Sequence, residues 1–384
     1  MTSFATAAAV LGGLLMLGSL LSGIARRSML SLAAVFVLAG FLLGDGVTGV
    51  LELKPSSGFV SDLASVALIV ILFRDGLEVD GEFLQKEWQL PLRKLAVAMP
   101  ITAIVVALLA HALVGLSWTE SFLLGALLSP TDPVLSSGVV TDARVPSVIR
   151  HSLNLESGLN DGLALPAVLA FAAALEPNSG SFSWWHFVLR DVGLGLAFGL
   201  VCGFVGSLLM PRRRDDHPEL PIPGHQKALY GLGLAFASYG LTVLSPDGNG
   251  FIAVFVAAIV TGIRRPDLRE EFAAHAEDIV EIVKLAIFTV FGSLLTIHGL
   301  FSDGWAAVAV VIGTFLLARP AAISIALAGT RLDRASKAFM AWFGPKGVAT
   351  MAFSLLILSR QIEAGTQIFN IAALAVFDEL IGYT

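Results

Sequence analysis

Apolar runs of about 20 residues, returning at intervals along the whole chain, leave few folds open. As a helix, a run of that length crosses a hydrocarbon layer about 30 Å thick. Thirteen such segments can be read, at approximately 4–24, 29–47, 59–77, 94–115, 119–140, 150–174, 186–210, 226–244, 250–263, 277–298, 304–329, 337–359 and 367–384. The eleventh is interrupted by Arg319-Pro320, and the thirteenth carries Asp378 and Glu379. Inside a bilayer a helix satisfies its own backbone donors and acceptors, which a lone strand cannot. The sequence therefore predicts an all-α polytopic membrane protein of about 13 transmembrane helices. Composition agrees, with 56% hydrophobic and only 14% charged residues among 384, against about 25% charged in an average soluble domain. That balance excludes a soluble globular enzyme and a disordered chain. A net charge of −6 offers no basic footprint for nucleic-acid phosphates. The one cysteine, Cys202, lies in an apolar run and allows no internal disulfide and no Cys-rich metal site.

The loops set the orientation. Phe4 to Ile24 has no basic residue before it and is followed by Arg26 and Arg27, the reverse of a cleavable signal peptide. Of the 24 basic residues, 17 fall in alternate loops. Among them are Lys86, Arg93 and Lys94, then Arg212, Arg213 and Arg214. The intervening loops hold Lys54, Arg190 and Arg360. The positive-inside rule then predicts a multi-pass protein of the cell membrane, N-terminus outside and C-terminus cytoplasmic.

An odd number of spans has a consequence. With segment 7 as a connector, segments 1–6 and 8–13 enter the membrane from opposite sides, the inverted-repeat pattern of secondary transporters. Such proteins place their site where helices break in matching positions of the halves. The fifth segment of the first half contains Ser129-Pro130-Thr131-Asp132-Pro133, and the fifth of the second contains Gly344-Pro345-Lys346-Gly347. Proline removes a backbone donor and clashes with the preceding turn, so neither helix runs smoothly. Each break carries an ionisable residue, Asp132 or Lys346, which is costly in a bilayer unless it faces a wet cavity or a partner.

Segment 6 begins His151-Ser-Leu-Asn-Leu-Glu156-Ser157-Gly-Leu-Asn160-Asp161. Glu156 with Asn160, and Ser157 with Asp161, are four apart and stack along adjoining strips of a helix. Asp161 falls about 17 Å from the helix start at Arg150, near mid-membrane. A hard monovalent cation wants oxygen ligands. Asp161, Asp132, Ser157, Thr131 and freed backbone carbonyls supply them. A carboxylate there can hold either a proton or a cation, and competition for one carboxylate is the simplest chemistry for exchange. Asn160 has a structural or a tuning role. Glu156 needs a cationic partner; Lys346 is the first choice within the membrane and Arg319 the second.

At these residues the chain resembles the monovalent cation:proton antiporters, in their electroneutral NhaP/NHE branch. The matching stretches are Leu128-Ser-Pro-Thr-Asp-Pro133, Leu155-Glu-Ser-Gly-Leu-Asn-Asp-Gly162, Ile71-Leu-Phe-Arg-Asp-Gly-Leu77, Leu317-Ala-Arg-Pro320 and Gly344-Pro-Lys-Gly347. The resemblance implies the NhaA-like inverted-repeat antiporter fold with two broken crossing helices. It implies dimerisation helices in 1–93 and 226–303, ion-binding core helices in 94–175 and 304–384, and a connecting helix and cytoplasmic loop in 186–225. It further implies a homodimer, ion binding by Asp161, Asp132, Thr131 and Ser157, and an ion pair from Glu156 to a broken-helix cation. The Asn160-Asp161 pair marks the electroneutral branch. Lys346 stands where the family carries arginine, keeping the charge but losing the two-pronged fork.

The expected function is exchange of Na⁺ (or Li⁺) for H⁺, without a cofactor and without enzymatic chemistry. K⁺/H⁺ exchange is the alternative. No Walker-type phosphate loop and no Gly-x-Gly-Asp stretch of an intramembrane aspartyl protease is present in the sequence.

Overall fold

A computed structural model describes residues 4–25, 32–79, 89–131, 147–176, 182–211, 222–244, 248–330, 332–342 and 346–382. The described part of each predicted segment falls largely within helices. In chain order these are α1 (Phe4–Ala25), α2 (Leu32–Leu43), α3 (Gly58–Leu77), α4 (Gln89–Val114) and α5 (Trp118–Leu128). Next come α6 (Ser147–Ala174), α7 (Trp184–Leu209), α8 (Gly224–Leu244), α9 (Gly250–Arg264), α10 (Pro266–His275) and α11 (Glu277–Ser293). The chain closes with α12 (Gly304–Ala326), α13 (Arg334–Trp342), α14 (Val348–Ser359) and α15 (Gly365–Gly382). Among the described residues the only β pairing is an isolated bridge between Gly44 and Leu51.

Local chemistry sets the ends. Ser117 and Glu120 form a reciprocal capping box at α5, and Asn249 accepts from Phe251 N and Ile252 N at α9. Many hydroxyls within spans return to a carbonyl three or four residues back, as Ser293 Oγ does to Val290 O and Thr102 Oγ1 to Ala98 O, both at 2.8 Å, so they enter the apolar layer already bonded. Arg265, almost fully buried, donates to Ser207 O, Met210 O and Pro211 O and grips Asp267 with two bonds of 2.8 and 3.0 Å. It thereby closes the carbonyl end of α7 against the start of α10.

One expectation is corrected. Arg319-Pro320 does not interrupt its segment: α12 continues through it, with a π turn at Thr314–Ala318 just before. The same device occurs in α4, where a π turn at Lys94–Ala98 precedes Met99-Pro100. In both, the carbonyl that the proline ring would strike, four residues back, lies inside the wider turn. Widening relieves the clash without breaking the helix. The two π turns occupy matching positions in the two halves, and α4 and α12 pack against each other through them.

Close packing surrounds the first break. A Cβ on Gly125 of α5 would stand 2.2 Å from the carbonyl oxygen of Ala103 on α4. A Cβ on Gly162 of α6 would meet the Phe255 ring of α9 at 2.2 Å. Only glycine lets these helices approach so nearly.

Candidate functional site

Helix α5 stops at Leu128, and Ser129, Pro130 and Thr131 leave it as irregular chain buried in the protein. The carbonyls freed there are taken by side chains from distant segments. Pro130 O accepts from Lys346 Nζ at 3.1 Å, and Thr131 O accepts from Asn160 Nδ2 of α6. The first of these bonds joins the two breaks directly, since Lys346 sits two residues before α14. Lys346 is 1% exposed and its ammonium lies 6.0 Å from the centroid of the Phe315 ring, at the outer limit of a cation–π contact.

Glu156, one turn before Asn160 on α6, anchors a charged cluster. Its Oε1 accepts from Thr131 Oγ1 at 3.3 Å and lies 3.7 Å from Arg319 Nη2. Its Oε2 is in an ion pair with Lys94 Nζ. Arg319 Nη2 also donates to Met340 O on α13, at 3.5 Å. Glu156 is thus held between cations from α4 and α12, the helices with matching π turns. Lys346, the first choice for its partner, is instead on Pro130 O. A small polar cavity adjoins the cluster, lined by Lys94, Ala98, Thr102, Ser129, Thr131, Glu156, Asn160 and Arg319 among others.

Asp161 is 4% exposed and follows Asn160, whose amide holds Thr131, but it does not line that cavity. Asp132 and Phe343-Gly344-Pro345 lie outside the described residues, as does the side chain of Ser157. The residue that sequence reasoning missed is Lys94. The loop count places it beside Arg93 as a loop cation, yet it is 2% exposed. The spacing held the clue: Lys94, Ala98 and Thr102 are four apart and share one helix face. Among the described residues no group of three or more His, Cys, Asp or Glu could hold a metal ion.

Two helices that end at irregular, proline-bearing stretches meet where Lys346 Nζ reaches Pro130 O, beside the buried Glu156 cluster, a layout of the kind found in inverted-repeat transporter folds. The family model described as "Sodium/hydrogen exchanger, transmembrane" matches residues 13–384, and the chain belongs to that family. It is similar to the K(+)/H(+) antiporter NhaP of Alkalimonas amylolytica, 24% identical over 377 residues. That match covers 97% of this chain and 64% of the relative, so the chain spans under two thirds of the relative's length. It is also similar to Na(+)/H(+) antiporter 2 of Zygosaccharomyces rouxii, 32% identical over 154 residues, 38% of this chain and 19% of that protein. The fold matches the sodium proton antiporter MjNhaP1 of Methanocaldococcus jannaschii with a TM-score of 0.84 at 18% identity, covering 100% of this chain and 99% of the other.

Proposed function

We propose that the protein exchanges Na⁺ (or Li⁺) for H⁺ across the cell membrane, one for one, with cation and proton competing for Asp161. The observation that carries this reading is the contact between the two breaks, Lys346 Nζ to Pro130 O, beside the Thr131–Asn160 bond that leads to Asp161. Asp161 is buried and follows directly on Asn160, whose amide donates to the irregular backbone at Thr131, and this supports a role in ion-coupled exchange. Asp132, Thr131 and Ser157 complete the oxygen set. Asn160, Glu156, Lys346 and Arg319 support it. With asparagine at 160, the pair carries one titrating carboxylate, which favours electroneutral exchange.

In this reading residues 94–175 and 304–384 form the moving core, 1–93 and 226–303 the dimerisation scaffold, and 186–225 the connector. The N-terminus lies outside, the C-terminus is cytoplasmic, and no cofactor takes part. K⁺/H⁺ exchange is the second reading, favoured by the name of the Alkalimonas relative.

Proton flux in proteoliposomes tests both. An inside-acid gradient is challenged with external Na⁺, Li⁺ or K⁺, with and without a clamped membrane potential. Collapse by Na⁺ or Li⁺ that ignores voltage supports the first reading. Collapse by K⁺ alone supports the second. No collapse by any of the three, in folded protein, overturns both.

A further inference from the structure

Thr131 has one hydroxyl proton and spends it on Oε1 of Glu156. Its oxygen also lies 3.4 Å from Asn160 Nδ2. With the proton committed, the oxygen faces any further partner only as an acceptor, as a cation ligand must. The orientation of the Glu156 carboxylate therefore decides whether Thr131 is ready for a cation. Two cations compete for that carboxylate. Arg319 stands 3.7 Å from Oε1, the oxygen Thr131 uses, whereas Lys94 holds Oε2.

From this geometry we infer that Lys94 is a positioning residue of the exchange site: by anchoring Oε2 of Glu156 it keeps Oε1 on the Thr131 hydroxyl. Without it, the carboxylate closes on Arg319 through the very oxygen that orients Thr131. The kinetic consequence rests on the exchange reading above; the geometric one does not. A simple field effect predicts the opposite sign. Lys94 is a positive charge near a cation site, so its removal on Coulomb grounds alone strengthens cation binding.

The test is Lys94→Met in proteoliposomes, with KM for Na⁺ and for K⁺ and the maximal rate measured separately across pH. Positioning predicts a KM raised about tenfold, which is about 1.4 kcal/mol, with a smaller change in maximal rate. Lys94→Arg, which keeps charge and donor, recovers most of the affinity. In a Glu156→Gln background the same Lys94→Met change moves KM less than twofold, because Lys94 acts through Glu156. An unchanged or lowered KM in Lys94→Met overturns the inference. So does an equal rise in both backgrounds. Should Lys94→Met fail to fold, Lys94→Gln takes its place in the same cycle.

A second readout stands apart from transport. The infrared carboxylate band of Glu156, identified by its loss in Glu156→Gln, is expected to shift in Lys94→Met as one oxygen loses its partner. An unshifted band overturns the inference even if the wild type exchanges nothing. A shifted band in a protein without exchange keeps the geometry and discards the function.

Discussion

Lys94 and Glu156 form an ion pair across the contact of α4 with α6, their side chains 1% and 9% exposed. With Arg319 on the other carboxylate oxygen, one anion faces two cations from the two halves of the chain. Desolvating these groups is expensive, so such a cluster adds little net stability while intact; removing one member leaves charge uncompensated. Glu156→Ala is expected to destabilise the protein by roughly 3–5 kcal/mol, read as a lower melting temperature in detergent. A melting temperature equal to wild type would mean that the cations are compensated elsewhere.

Asp161→Ala should abolish cation-driven proton flux while the protein still elutes as a folded species. Asp161→Glu should keep a fraction of it, and Asp132→Ala should behave as Asp161→Ala does. The measurement is flux per folded protein in the same vesicles. Wild-type turnover in Asp161→Ala would remove it from the site.

Asn160→Asp tests the charge balance. The amide nitrogen that donates to Thr131 O is replaced by an acceptor facing an acceptor, so a lower melting temperature is expected. Whatever exchange survives should become sensitive to membrane potential, since a second carboxylate can carry a second proton. Flux independent of voltage would argue against one-carboxylate stoichiometry.

Gly125→Ala tests the packing that holds the first break. The new methyl would lie 2.2 Å from Ala103 O, a backbone atom that cannot swing away. Overpacking of this kind costs about 1–3 kcal/mol. A lower melting temperature and slower exchange are expected together, because the break begins at the end of the same helix.

Acid stability depends in part on Asp267, outside the spanning helices. Its hydrogen bond from Arg265 holds its carboxyl below the usual carboxylate range. A carboxyl depressed on folding stabilises the protein above its unfolded value, near pH 4, and loses that contribution as pH falls through the folded value. Its side chain is 43% exposed, so water screens the pair and the effect is at most about 1 kcal/mol. Asp267→Asn should lower the melting temperature at pH 7 and flatten its decline below about pH 4. An unchanged acid limb would mean that the bond contributes nothing in solution.

Much of this was written plainly in the sequence. Apolar runs place the spans because bilayer thickness fixes their length, and Pro130 and Pro345 mark the breaks because proline cannot continue the hydrogen-bond ladder. What the sequence hid was geometry between helices. Pro320 looks like Pro130 in one dimension, yet α12 absorbs it with a π turn whereas α5 ends. Lys94 reads as a loop cation beside Arg93, because loop counting assigns basic residues by neighbourhood and not by helix face. Lys346 lies in a break and invites pairing with Glu156, but the crossing brings it to the carbonyl of Pro130 instead.

A π turn houses one residue more than an α-helix of the same rise, so the turns before Pro100 and Pro320 take up an extra residue while the helix on either side keeps its register. Deleting one residue from Leu95–Ala98 would close α4 into regular helix with its flanking faces nearly unturned, whereas adding one between Met99 and Val114 would swing everything on the N-terminal side by about 100°. Such an insertion would carry Lys94 off the carboxylate although no charged residue had been touched. In this chain the placement of charge is stored partly as residue count, with the wide turns absorbing the residue that a regular turn would pass on as rotation.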